Sequence, residues 1–253
     1  MPVPERSEGA KRLRDYFDLQ LRFASILAEF HTLALVEAVF RYTNFHRRFG
    51  LGTPDAASLS EEWRVFTKGL ELRRSHQDRL DWIQDFYLHA PPESLPEGHQ
   101  VFGCFSLDYQ AKDNRVRIHF QNCDSDSLSP LHASKAGLRK AELRRLFGHV
   151  KTQFPDALEV MGVSWLYNHN AYRRLFPPAY GESRVPFTGM TRFQGSSGWG
   201  QFLRHDGNIK DNLKLAFLAK LESFDASQPW TAFPLFTYVV KLDVQGFYRF
   251  YDL

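Results

Sequence analysis

The hydrophobic period of this chain changes partway along it, and the change falls at a cluster of prolines. Before residue 90 apolar side chains recur every three or four positions; after residue 100 they alternate. Between the two lies Ala90-Pro91-Pro92-Glu93-Ser94-Leu95-Pro96-Glu97-Gly98, whose prolines cannot continue a helix. A period of 3.6 buries one stripe of a helix, whereas a period of 2 buries one face of a strand. A chain carrying both in that order belongs to the α+β or α/β class. We read a helical region over 1–90, a Pro-rich linker over 91–100, and a mixed α/β domain over 101–253 whose sheet carries flanking helices.

In the helical region the stretch Leu13 to Phe23 repeats apolar residues at three and four spacing. A second helix is predicted from about Leu33 to Phe49, ending at Gly50, a suitable C-cap. Ser58 and Glu61 form a capping-box pattern for a third helix over about 60–88, which carries Trp63, Phe66, Leu70, Trp82 and Phe86.

Beyond the linker, Val101 to Tyr109 and Arg115 to Phe120 alternate, with Asp113-Asn114 as the turn signal. A register with Leu107 opposite Phe120 makes one face apolar and leaves Asp108, Arg117, His119 and Gln121 on the other. It also sets Cys104 opposite Cys123. A helix over about 137–153 and a strand over 158–166 follow, an order that favours a parallel crossover. Then come a short helix over about 169–176, a strand over 186–193, the loop Gly195 to Gly200, a helix over 208–224 and a strand from Phe233 to Leu242.

Bulk properties exclude several classes. With 32 Lys+Arg against 29 Asp+Glu the formal charge is +3, too near balance for a polyanion-binding protein. No apolar run approaches the roughly 18 residues a membrane span needs. The opening Met1 to Arg6 is followed by no apolar core of a signal peptide, so the expected location is cytoplasmic, where Cys104 and Cys123 are read as small buried hydrophobes and not a bridge. The ten histidines include no HxxxH or HExxH spacing, and there is no CxxC, so no metal is expected. There is no GxSxG elbow and no phosphate-binding Gly-Lys-Ser/Thr. The helix 139–151 carries Arg139, Lys140, Arg144, Arg145, His149 and Lys151, but its other face fits packing on a sheet, so nucleic acid is not the expected partner.

The most informative stretch is Val163-Ser164-Trp165-Leu166-Tyr167-Asn168-His169-Asn170-Ala171-Tyr172-Arg173-Arg174-Leu175-Phe176. A strand ends at an Asn and a short helix begins. This resembles the strand–Asn–x–x–Ala–helix element of the GCN5-related N-acyltransferases. The order of hairpin, helix, strand, short helix and strand over about 101–193 is also similar to theirs. The resemblance implies that the strand parts from its neighbour and that an acyl-coenzyme A, or another acyl thioester, lies in the gap as co-substrate beside Ser164 and Trp165. It implies Asn168 at the site, Tyr172 or Tyr180 as the acid that protonates the leaving thiolate, and a small molecule or peptide as acceptor. The family's pyrophosphate loop, Arg/Gln-x-x-Gly-x-Gly/Ala, is replaced by His132-Ala133-Ser134-Lys135-Ala136-Gly137-Leu138, where Lys135 and Gly137 at the helix start are the positions a phosphate would meet.

The rival reading comes from the 23 Phe, 10 Tyr and 5 Trp. An aromatic core absorbs many of them, but an exposed aromatic groove would make the protein a non-enzymatic binding module for a peptide, protein or hydrophobic ligand.

Overall fold

A computed structural model describes residues 3–91 and 100–253; the expected linker, from Pro92 to His99, lies outside them. The chain opens with α1 (Val3–His31), α2 (Leu35–Tyr42), α3 (Phe45–Arg48), α4 (Pro54–Leu59), α5 (Glu61–Glu71) and α6 (His76–His89). Then follow β1 (Gln100–Phe102), β2 (Phe105–Gln110), β3 (Arg115–Phe120), α7 (Ala136–Gln153), β4 (Glu159–Ser164), α8 (Asn170–Arg173), α9 (Pro178–Glu182) and β5 (Val185–Pro186). The last elements are α10 (Ser196–Trp199), α11 (Asp211–Leu221), β6 (Tyr238–Asp243) and α12 (Val244–Phe250). The molecule is of the α+β class, with helices first and a mixed sheet after them.

The chain divides into two compact units, and the second is not one continuous run of sequence. One unit holds 1–96 and 188–235; the other holds 97–187 and 236–253. This corrects the assignment of 101–253 to a single domain. The reason is aromatic packing. Phe23 of α1 is fully buried and lies with its ring 5.5–6.1 Å from those of Tyr42, Phe193, Trp199, Phe217, Phe224 and Phe233. Burying each such side chain is worth about 1.5–3 kcal/mol, so the segment 188–235 is held by its rings. The Trp199 indole N–H also donates to the Tyr42 carbonyl at 3.2 Å.

Within this helical unit two expected helices are broken. The helix read over Leu33 to Phe49 stops at Thr43, because the Asn44 N–H donates to the buried Gln20 side chain at 2.8 Å and leaves the helical ladder. The helix read over 60–88 ends at Glu71 and restarts at His76. Its true N-caps are Ser60, which accepts from the Trp63 N–H, and Ser75, which accepts from the Asp78 N–H; Ser58 donates to the Asp55 carbonyl instead.

In the other unit six strands run in the order β1-β2-β3-β4-β6-β5. The β2–β3 hairpin pairs Phe105 with Phe120 and Leu107 with Ile118. That is two residues from the expected register. The turn Ala111–Asp113 is closed by Asn114 in the left-handed region (φ 48°), which lets the strands pair right up to Gln110 and Arg115. A shift of two keeps every side chain on its expected face. β3 and β4 are parallel and joined through α7, as the strand–helix–strand order predicts. β5 and β6 are antiparallel neighbours, so the 188–235 excursion leaves and returns on adjacent strands. The strand read over 186–193 is only Val185–Pro186, and the strand read from Phe233 begins at Tyr238.

Register divides the sheet into two unlike faces. Phe105, Leu107, Val116, Ile118, Val160 and Val240 pack with Leu143, Phe147, Tyr172, Tyr180 and Phe247 in one core. The opposite face carries Asp108, Arg117, His119, Met161, Val163 and Lys241, and is charged and partly exposed.

Candidate functional site at the end of the β3–β4 seam

β4 is bonded unequally on its two sides. Against β6 it pairs at each residue from Glu159 to Ser164. Against β3 the parallel ladder runs from Arg115↔Glu159 to Ile118↔Gly162 and stops there. Beyond it the strands continue as His119–Phe120 and Val163–Ser164 without pairing across the seam. A seam that ends while both strands run on is where a chain-like ligand can meet strand backbone.

The apolar side of this seam is filled. A Cβ on Gly162 would lie 2.0 Å from the Tyr167 hydroxyl and 2.6 Å from that of Tyr180, so the absent side chain is what admits the two phenols. Those hydroxyls meet at 3.2 Å. The Tyr172 ring stands edge-on to Phe120 at 5.5 Å and to Tyr167 at 5.1 Å. Tyr172 and Tyr180 are therefore core residues, not exposed acids. Burial pushes both phenols, and that of Tyr167, well above their usual range. A phenol so shifted is a poor proton donor to a thiolate, whose conjugate acid titrates near 8.5.

Asn168 closes the turn after β4. Its amide donates to the Trp165 carbonyl at 2.6 Å and to the Phe236 carbonyl at 2.8 Å, while His169 is the N-cap of α8. The Ser164 hydroxyl accepts from the Leu166 N–H at 3.1 Å, and Trp165 lies half-buried against the His169 ring. Ser164, Trp165 and Asn168 are thus brought together, as builders of the turn at the mouth of the seam. The Tyr167 carbonyl accepts from the guanidiniums of Arg173 and Arg184, which pins the turn further.

Lys135 and Gly137 are placed differently. The Lys135 ammonium is buried and donates to Asp124 and Asp126, each at 2.7 Å, and to the Leu128 carbonyl at 3.3 Å. Its three protons are spent inside the protein. Lys135, with Arg139, holds the Asp124 carboxyl below the usual range. Gly137 stands open in the first turn of α7, with nothing within 4 Å of the Cβ it lacks.

The charged face holds a pair that sequence reading placed but did not combine. The His119 Nε2 hydrogen-bonds Asp108 Oδ1 diagonally across β2 and β3. His119 is also the first β3 residue past the end of the seam. The alternating pattern put both on one face; only the register brings imidazole and carboxylate together.

No exposed aromatic groove is found among the described residues. Trp63 and Trp199 are buried, Trp82 and Trp230 pack on the helical core, and among described residues the exposed large aromatics are Phe30 and Phe236. A hollow of about 570 Å³ in the helical unit is lined by Ser25, Glu29, Leu33, Leu35 and Arg79 and offers no aromatic surface. No described helix is long and apolar enough to cross a membrane. Cys104, Cys123 and Asp124 are the one cluster of three metal-type donors among described residues.

No family model matches the chain, and no curated protein or solved structure matches it either.

Proposed function

We propose that the sheet unit is an acyl-transfer domain of the GCN5-related kind, taking an acyl thioester such as acyl-coenzyme A beside Val163 and Ser164. The observation that carries this reading is the β3–β4 ladder ending at Ile118↔Gly162 while β4 remains fully bonded to β6. The strand order, with a helix joining the two parallel strands, supports it. Exposed backbone at such a seam can bond the amides of a pantetheine-like arm and polarise a thioester carbonyl, stabilising the oxyanion that forms when an amine attacks. His119, oriented by Asp108, takes the proton from that amine, and the thiolate leaves. Tyr172 and Tyr180 wall the site. The acceptor is a small amine or a peptide amine.

Titration of the full-length protein with acetyl- and longer acyl-coenzyme A, read by thermal shift, tests the binding step. Ligand at ten times its Kd stabilises by roughly 1.4 kcal/mol, a rise of about 6 °C for one unit of this size. Val163→Trp should fill the seam and abolish the rise while leaving the unliganded melting point within a degree or two. No rise at millimolar ligand ends the proposal.

A further inference from the structure

The cluster at the start of β2 is unused by the acyl-transfer reading. Cys104 Sγ lies 3.0 Å from Cys123 Sγ, within reach of a bond after small rotations of both side chains. The two thiols differ sharply in access: Cys104 is buried, Cys123 exposed. Cys104 is also firmly held. Its N–H donates to the buried Glu142 carboxylate at 3.2 Å, and its carbonyl accepts from the Gln121 N–H at 2.9 Å. Gly103, at φ 65°, leaves room for that carboxylate, since a Cβ there would lie 2.1 Å from Glu142 Oε1. The Cys123 N–H points at Cys104 Sγ at 3.3 Å, where it steadies negative charge on that sulfur.

The third potential donor is already engaged. Asp124 Oδ1 takes Arg139 at 2.8 Å and Asp124 Oδ2 takes Lys135 at 2.7 Å. A divalent cation bound here would sit against two fixed positive charges. What the cluster offers is a pair of thiols beside a buried guanidinium.

We propose that Cys123 and Cys104 form a thiol–disulfide exchange site whose co-substrate is a low-molecular-weight disulfide. The exposed Cys123 thiolate attacks one sulfur of the small disulfide RSSR. A Cys123–S–S–R bond forms, and the first RS⁻ leaves and takes up a proton. Cys104 Sγ then attacks Cys123 Sγ, the S–S–R bond breaks, and the second RS⁻ accepts the proton that Cys104 gives up. Two electrons pass from the protein thiols to RSSR, which ends as two RSH; the protein ends with one Cys104–Cys123 bond. The order follows from access. Burial first, and the hydrogen bond to Cys123 next, push the Cys104 thiol up to about 12, so it waits protonated until its neighbour carries the mixed disulfide.

The test is oxidised glutathione added to the reduced full-length protein, with intact mass and thiol counting as readouts. Wild type should lose both free thiols, lose two hydrogens in mass, retain no glutathione and stay unlinked between chains. Cys104→Ser should instead retain one glutathione, mapped to Cys123. Cys123→Ser should keep Cys104 unmodified over the same exposure. Wild type that retains glutathione at Cys123 without closing the internal bond overturns the proposal, as does wild type that leaves both thiols free.

Discussion

The two units bury charge in opposite ways. In the helical unit the buried cation Arg192 lies over rings: its guanidinium is 5.6 Å from the centre of Phe193 and 5.4 Å from that of Trp230. Burial alone pushes it down to about 10. His46, fully buried among Phe40 and Trp63, is pushed down to about 4, by burial first and by Arg47 next. In the sheet unit the buried cation Arg139 meets carboxylates, Asp124 and Glu142, and stays charged. The helical unit thus sets its buried ionisable groups against aromatic faces, where burial weakens their hold on a proton. The sheet unit keeps fixed charges in a low-dielectric setting, where they act strongly on anything bound nearby. The proposed acyl transfer belongs to the sheet unit, where the β3–β4 ladder ends beside the His119–Asp108 pair.

The sharpest way to break this comparison is to remove the centre of each core. Phe23→Ala should cost about 3–5 kcal/mol through the cavity left among six rings. Arg139→Ala should cost about 3–5 kcal/mol by stranding buried carboxylates, and the deficit should shrink in acid as Glu142 takes a proton. Denaturant melts followed by tryptophan emission separate the two, because Trp165 is the one tryptophan of the sheet unit. Equal effects on both emission signals would mean the units unfold together.

His46 gives the next largest effect. Its folded-state value lies below its unfolded one, so the unfolded state binds the extra proton first. Stability is full above about pH 6.5 and falls as pH drops toward about 4, by roughly 3 kcal/mol in total. His46→Leu should flatten that limb of the stability–pH curve. A curve unchanged by the substitution would show that the imidazole is not held neutral.

Gly162→Ala should cost about 1–3 kcal/mol, because the new methyl displaces the Tyr167 and Tyr180 hydroxyls. It should also move Tyr172 against Phe120, visible as a change in near-ultraviolet circular dichroism. The smallest effect belongs to an N-cap: Ser60→Ala should cost about 1 kcal/mol, measured as a shift in denaturation midpoint, whereas Ser58→Ala should change it by a few tenths at most.

What sequence made legible was local. The crossover helix α7, the hairpin and its polar face, and the amphipathic α1 are written in periodicity and turn residues. What it hid was set by contacts far along the chain. The break at Thr43–Asn44 depends on Gln20, 24 residues earlier. The return of 188–235 to the helical unit depends on rings gathered around Phe23, and no local pattern marks it. At the site, Lys135 looked free because its partners, Asp124 and Asp126, stand in a polar stretch with no period. Tyr172 and Tyr180 looked like acids because a motif records residue type and not burial. The His119–Asp108 pair needed the hairpin register, and the end of the β3–β4 ladder needed both strands in place.

Amide hydrogen exchange with and without millimolar acetyl-coenzyme A tests the central claim most directly. The account predicts added protection confined to His119–Asn122 and Val163–Asn168, with the helical unit unchanged. Protection that is already complete in those segments before ligand is added, or that appears only in the helical unit, would contradict it.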